Sequence, residues 1–104
     1  MGYFYGLGRR KSATARVRLE KGTGKVTING KPAEEYFAGS KYSLTELEKP
    51  FNVLELNGKY NVSVKVSGGG VAGQVDAIRL GIAKSIVEMD ESLKNNLRRA
   101  ELLG

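Results

Sequence analysis

The stretch from residue 66 to residue 89 most limits what this chain can fold into. It reads VSGGGVAGQVDAIRLGIAKSIVEM, and after its three consecutive glycines the apolar residues recur at steps of three and four. That spacing is typical of a helix with one face toward a core. The recurring residues are Val71, Val75, Ile78, Ile82, Ile86 and Met89. The stretch therefore predicts the end of a strand, a glycine turn and a long core-facing helix.

The glycine turn has two interpretations. Gly68, Gly69 and Gly70 allow the backbone to approach another group closely. The first-turn amide groups of the following helix have no partner within the helix and carry partial positive charge, so that a phosphate group fits there. Alternatively, the glycines only provide a tight crossover onto a sheet. A single glycine loop does not distinguish these interpretations.

Basic residues are concentrated in the first third of the chain. Residues 1–31 contain eight of the 17 Lys and Arg residues, and Glu20 is the single acidic residue there. Basic residues thus outnumber acidic ones by seven in residues 1–31, whereas the formal net charge of the whole chain is +6. All of the excess positive charge therefore lies in this third. Such an imbalance favours a polyanionic partner, either nucleic acid or an acidic membrane surface.

Several chemistries are disfavoured by composition. The 104 residues include no cysteine and no histidine, which leaves no disulfide, thiol nucleophile or imidazole base. The longest internal run without charge, residues 66–75, is half of the roughly 20 apolar residues that span a bilayer. We expect one cytoplasmic domain covering residues 1–104, without a membrane helix. We also expect no metal site, because Asp76 is spaced to pair with Arg79 and Asp90 is placed to cap a helix.

The region after the amino terminus predicts paired strands. Residues 13–20 alternate between apolar and polar side chains, the pattern of a half-buried strand, which places Arg16 and Arg18 together on its outer face. Residues 21–24 predict a hairpin connection, and residues 25–29 a neighbouring returning strand. The preceding aromatic run, residues 3–5, suits either core packing or stacking on bases.

The middle of the chain predicts two short helices and a second hairpin. Pro32 suits the first turn of a brief helix. Ser43 predicts the cap of another helix that ends before Pro50, which disfavours its continuation. Residues 51–56 and 59–67 then flank Asn57-Gly58, a strong hairpin signal. A last helix follows Asp90. Together these elements predict an α+β two-layer sandwich, a mostly antiparallel sheet of about four strands with helices on one face.

Three segments resemble the bacterial type of the ribosomal protein S9 family of the small subunit. They are YGLGRRKSATARVRL, KVTINGKPAEEYF and KVSGGGVAGQVDAIRLGIAKSI, and they resemble the family in order and spacing. The resemblance implies a ribosomal protein S5 domain 2-like fold with a left-handed βαβ crossover. It also implies a non-enzymatic structural protein that binds ribosomal RNA in the head of the small subunit, beside neighbouring head proteins, without cofactor, metal or small-molecule substrate.

The resemblance, together with the outer-face placement of Arg18, defines an expected set of RNA-binding residues. The amino-terminal members are Gly6, Gly8, Arg9, Arg10, Lys11, Ser12, Arg16 and Arg18; the second region comprises Gly68, Gly69, Gly70, Gln74 and Arg79. Arginine guanidinium groups bind phosphates in a bidentate manner, and glycines permit close backbone approach to folded RNA.

One departure from the family and two rival functions remain. In the family that this chain resembles, members are longer and end in a very basic tail that reaches toward the transfer RNA in the peptidyl site. This sequence stops at Gly104, so contact with transfer RNA is not expected from it. A free-standing RNA chaperone or ribonuclease cofactor protein is the closest alternative. A phosphate-transferring enzyme of similar fold is less favoured, because no catalytic base stands near the glycine loop.

Overall fold

The computed structural model describes residues 2–104, and Met1 lies outside the described residues. The strands are β1 (Phe4–Arg10), β2 (Ala13–Lys21), β3 (Val26–Ile28), β4 (Lys31–Pro32) and β5 (Tyr60–Ser67). The helices are α1 (Ala33–Tyr36), α2 (Lys41–Leu54), α3 (Val71–Met89) and α4 (Lys94–Arg99), and a 3₁₀ turn at Glu91–Leu93 precedes α4. In the described part of the chain, no helix has the length and apolar character needed to cross a bilayer.

The strands form one sheet in the order β1-β2-β5-β3-β4. All neighbours are antiparallel except β5 and β3, which are parallel. Helix α3 covers one face of the sheet, and α2 packs against α3. The predicted α+β fold with helices on one face is confirmed, with five strands rather than four.

The core lies between the sheet and α3. The predicted alternation of β2 is confirmed, since Ala13, Ala15, Val17 and Leu19 are all buried. Strand β5 contributes Val62, Val64 and Val66, and α3 contributes Val75, Ile78, Ile82 and Ile86. The predicted core face of α3 is therefore confirmed except at its start, where Val71 is 63% exposed. Asp90 caps the 3₁₀ turn rather than the last helix, which the sequence predicts it to cap: its carboxylate accepts a hydrogen bond from the Ser92 amide at 3.1 Å, whereas α4 begins after Leu93 without a side-chain cap.

The predicted hairpin between β2 and β3 is wrong. Strand β5 occupies the edge of β2, pairing residues 60–67 with residues 14–21. The connection after β2 is held by Asn61, whose Oδ1 accepts hydrogen bonds from the backbone amides of Thr23, Gly24 and Lys25. These bonds hold residues 23–25 against the start of β5. Strand β3 therefore lies on the side of β5 opposite β2 and pairs with β5 in parallel.

The predicted helix end at Pro50 and the strand after it are also wrong. Helix α2 begins after Ser40, whose Oγ accepts a hydrogen bond from the Ser43 amide, and Pro50 lies buried inside it. A proline in a helix removes one backbone hydrogen bond, but continuing α2 buries Phe51 in the core. The helix ends with Glu55 in the left-handed region at φ 55°.

Residues beyond α2 form a helix cap instead of the predicted hairpin strand. The Leu56 amide donates to the Phe51 carbonyl at 2.9 Å, and the Glu55 amide donates to the Asn52 carbonyl at 3.2 Å. This pair of bonds is the Schellman arrangement that ends many helices. Asn57-Gly58 then forms the turn from α2 into β5 rather than a hairpin between two strands.

Candidate nucleic-acid interface

The tip of the β1–β2 hairpin carries a group of cations. Lys11 and Ser12 form the exposed two-residue turn, and Lys11 has a left-handed φ of 54°. Arg9 and Arg10 precede the turn and pair with Thr14 and Ala13 across the strands. Among residues 2–104, the salt bridges involve only Glu46, Lys49, Asp76 and Arg79. The cations of the hairpin tip, defined as residues 9–12, therefore have no acidic partner in the described chain.

The glycine loop, residues 68–70, packs directly against the hairpin tip. Gly68 and Gly69 have φ values of 79° and 64°, and all three loop residues are exposed. A Cβ atom on Gly68 would lie 2.2 Å from the carbonyl oxygen of Ser12, and one on Gly69 would lie 3.1 Å from the Cβ of Ala13. Only glycine combines this backbone with this proximity. The structure thus brings together the two segments that the sequence separates by more than 50 residues.

The amino-terminal end of α3 opens beside the same tip. Its capping residue, Gly70, supplies no side-chain hydrogen bond, and no acidic residue lies in its first turn. The Cβ position of Gly73 is 3.7 Å from the carbonyl oxygen of Arg10. Unpaired first-turn amides and the positive end of the helix dipole therefore lie next to the basic hairpin, an arrangement that attracts anions.

Gln74 is occupied in holding the glycine loop. Its Nε2 donates to the Gly68 carbonyl at 3.0 Å, and its Oε1 accepts from the Tyr36 hydroxyl at 2.7 Å. Both ends of the amide therefore have partners inside the protein. The side chain connects α1 to the loop and fixes where the loop lies.

Arg79 is placed in an ion-pair cluster between α2 and α3. Its guanidinium contacts the carboxylate of Glu46 and lies 3.3 Å from Asp76. Glu46 also accepts from Lys49 at 2.7 Å. The hydrogen bond from Lys49, together with the charges of Lys49 and Arg79, holds the pKa of Glu46 below its usual value, although burial acts to raise it. Arg79 therefore stabilises helix packing, and its charge is compensated.

Gly6 and Gly8 face α3 rather than the solvent. A Cβ atom on Gly6 would lie 2.0 Å from the Gly81 carbonyl oxygen, and one on Gly8 would lie 1.8 Å from the Ala77 carbonyl oxygen. These distances are far shorter than a van der Waals contact. The two glycines let β1 lie directly on the backbone of α3, which positions the hairpin tip.

Arg16 and Arg18 lie exposed on the face of the sheet opposite α3, here called the outer face, as the alternation of β2 predicts. Lys65 of β5 is directly across from Arg16, and Ser63 is across from Arg18. Sequence reasoning missed Lys65 and Ser63 as candidates. Their alternation along β5 was visible, but only the pairing of β5 with β2 places them beside the arginines.

The chain matches a known protein family over most of its length. The sequence model of the family described as ribosomal protein S9/S16 matches residues 8–104, which include the hairpin tip, the glycine loop and α3. The small ribosomal subunit protein uS9 of Maridesulfovibrio salexigens is 44% identical over 99 residues, which cover 95% of this chain and 75% of that protein. A match of this extent and identity shows that the chain belongs to the ribosomal protein S9/S16 family.

Proposed function

We propose that this protein is a structural constituent of the small ribosomal subunit, a single domain that binds ribosomal RNA in the subunit head beside neighbouring head proteins. Family membership and the small-subunit name of the 44% identical relative support the proposal. The structural observation that carries it is the contact between the unpaired cations of the hairpin tip and the glycine loop. Together they form one positively charged, backbone-exposing surface.

This surface suits the phosphate backbone of folded RNA. The guanidinium groups of Arg9 and Arg10 can each bind a phosphate through two hydrogen bonds, and Lys11 adds a mobile charge. The exposed glycine loop and the start of α3 offer backbone amide groups nearby. Binding of this kind draws most of its affinity from phosphate neutralisation and weakens steeply with salt.

The expected RNA-binding residues divide into two roles under this proposal. The hairpin tip, the glycine loop, Arg16 and Arg18 contact RNA. Gly6, Gly8, Gln74 and Arg79 position the surface from within, because each is packed or bonded inside the protein. The function is binding rather than catalysis, and it requires no cofactor or small-molecule substrate.

Sedimentation of a cell lysate tests the proposal. The protein should migrate with small subunits through a low-salt gradient and remain there in a moderate-salt wash, because many phosphate contacts and protein neighbours hold it. A free-standing RNA chaperone would remain in the light fractions or redistribute over many RNAs. Recovery only in those fractions, while another small-subunit protein sediments normally, would overturn the ribosomal assignment.

A further inference from the structure

The outer face of the sheet is positively charged well beyond the hairpin tip. Arg9 of β1, Arg16 and Arg18 of β2, and Lys65 of β5 are all exposed. They occupy the side of the sheet opposite the buried alternate residues of these strands. The three strands together contain one acidic residue, Glu20. A surface with four cations and one acid is complementary to an anionic partner.

Large apolar side chains are exposed among these charges. Tyr5 is 55% exposed and Leu7 is 42% exposed, and the register places them opposite Arg18 and Arg16. Tyr3, just before β1, is 44% exposed, and the Arg18 guanidinium carbon lies 4.4 Å from the centre of its ring. The ring centres of Tyr3 and Tyr5 are 6.4 Å apart. Phe4, in contrast, packs against the core.

A broad depression of about 750 Å³ lies over the centre of this surface. Its walls combine the apolar Tyr5 and Leu7 with Arg16, Arg18, Ser63 and Lys65. Because β1, β2 and β5 are adjacent, the apolar residues line one side and Lys65 the other, with the arginines between them. The site therefore offers an aromatic surface, cations and a hydroxyl group within one open concavity.

We propose that this depression binds an unpaired segment of RNA, with a base stacked on Tyr5 and the adjoining phosphates held by Arg16 and Lys65. The inference rests on the proposed RNA-binding function and extends it from phosphate contacts at the hairpin tip to a base-binding site on the outer face. Single-stranded RNA is the occupant because its unstacked bases reach aromatic side chains, whereas bases in a duplex do not. Arg18 can extend the stacking surface through its guanidinium plane, already placed over Tyr3.

Charge favours RNA over a neighbouring protein as the occupant. Lysine is depleted at the centre of protein interfaces, whereas Lys65 lines this depression together with Arg16 and Arg18 and without any acidic residue from the described chain. Alternation of aromatic rings and cations is instead the feature shared by surfaces that bind single strands. Ser63 provides a hydroxyl that can donate to or accept from a base edge.

The test compares the binding of two RNA probes to the intact chain by fluorescence anisotropy. One probe is a short, unstructured RNA of mixed sequence, and the other is a blunt RNA duplex of the same length. Tyr5→Leu removes the ring and should weaken single-strand binding by at least about fivefold, with a change of less than about twofold for the duplex. Tyr5→Phe retains the ring and should bind both probes like the parent.

Arg16→Gln tests the phosphate contact separately. It should reduce the slope of log affinity against log salt by about 0.7 for the single strand, the value for one lost phosphate contact. Tyr42→Leu is the matched aromatic control, since Tyr42 is 65% exposed on α2. Arg99→Gln on α4 is the matched charge control. Both controls should leave single-strand affinity within about twofold of the parent.

Tyrosine fluorescence provides a second measurement. The chain has five tyrosines and no tryptophan, so base stacking on Tyr5 should quench emission in the parent protein more strongly than in the Tyr5→Leu variant. Circular dichroism and melting identify any variant that fails to fold. If Tyr5→Leu does not fold, the Tyr5→Phe variant decides the matter, because it keeps the ring and the affinity but should lose the part of the quenching that comes from Tyr5; equal quenching in the parent and Tyr5→Phe proteins would refute stacking on Tyr5.

The outcomes separate this inference from the proposed function. Sedimentation with small subunits and duplex binding, without an effect of Tyr5→Leu or Arg16→Gln on single strands, would overturn the base-binding site and leave the ribosomal function intact. If the intact chain bound neither probe and did not sediment with small subunits, both would be overturned. Loss of a neighbouring protein from particles that carry the Tyr5→Leu variant, at unchanged RNA affinity, would assign the outer face to protein and refute the inference.

Discussion

Individual cations in this protein differ in whether an acidic side chain compensates them. Arg79 lies between Glu46 and Asp76, so it has little charge left to offer an external phosphate. Arg9 and Lys11 are exposed without such partners in the described chain. Equal formal charges therefore have unequal value for RNA binding, and the structure distinguishes them where composition does not.

Replacing Arg9, Arg10 and Lys11 together by Ala should sharply weaken RNA binding and reduce its salt slope by roughly 2 to 3, because each lost phosphate contact removes about 0.7 to 0.9. Circular dichroism and melting should change little, since these side chains form no ion pairs in residues 2–104. Affinity measured at several salt concentrations provides the check.

The matched control removes the same number of charges from α4, by Lys94→Ala, Arg98→Ala and Arg99→Ala together. If this control weakened RNA binding as much as the hairpin-tip variant, net charge alone would explain the affinity. The assignment of the hairpin tip would then be incorrect.

Glu46 makes the stability of the fold sensitive to acid. Its pKa is lowered in the folded state, chiefly by the hydrogen bond from Lys49. The unfolded chain therefore binds this proton more readily than the folded chain. The contribution of Glu46 is fully present above its unfolded pKa and is lost as pH falls through its lower, folded pKa.

Glu46→Gln should accordingly lower the free energy of unfolding at neutral pH by roughly 1–3 kcal/mol and should flatten the loss of stability on acidification. Urea unfolding measured between neutral and acidic pH tests this expectation. Glu48→Gln, on the same helix but bonded only to Asn57 among residues 2–104, is the control. An equal pH response in the Glu46→Gln and parent proteins would exclude the ion pair as the cause.

At the scale of elements, the contact of β1 with α3 determines where the hairpin tip lies. Gly6 and Gly8 on the strand meet Ala77 and Gly81 on the helix, and a Cβ on Gly81 would lie 2.6 Å from a methyl carbon of Val17. The absence of side chains on both sides permits backbone to lie against backbone. Strand β1 can approach α3 this closely only because Gly6, Gly8 and Gly81 carry no side chain.

Gly8→Ala should therefore destabilise the protein by about 1–3 kcal/mol or more, because its methyl group must displace β1 from α3. RNA affinity should fall as well, since the displaced strand carries the hairpin tip. Denaturant unfolding measures the first effect. Gly2→Ala is the control, since its Cβ would meet nothing within 4 Å and Gly2 lies before the first strand; a change within about 0.5 kcal/mol is expected there. Equal stability of the two variants would contradict the packing role of Gly8.

At the scale of the whole molecule, sheet register brings the proposed RNA-binding segments together. Strands β2 and β5 are antiparallel, and Thr14 pairs with Ser67, so the start of β2 lies beside the end of β5. The hairpin tip immediately precedes β2 and the glycine loop immediately follows β5. Because the helices occupy one face of the sheet, the other face remains open for its basic and aromatic side chains.

The amino-acid sequence by itself determined the elements whose signals are local. The period of α3, the alternation of β2 and β5, and the concentration of cations before residue 32 can each be read within a short window. They suffice for the fold class, because an amphipathic helix and half-polar strands have to bury their apolar sides against each other. The same local signals, combined with the family resemblance, identified the hairpin tip and the glycine loop as candidates.

Only the tertiary structure decided which elements are neighbours. Strand β5 pairs with the edge of β2 and so excludes the expected pairing of β2 with β3, and α2 continues through Pro50, which buries Phe51. Lys65 joins Arg16, and Gly8 joins α3, through contacts between residues far apart in the chain. Strand pairing and burial depend on which distant segments compete for the same sheet edge or the same apolar surface. A short local pattern cannot predict the outcome of that competition.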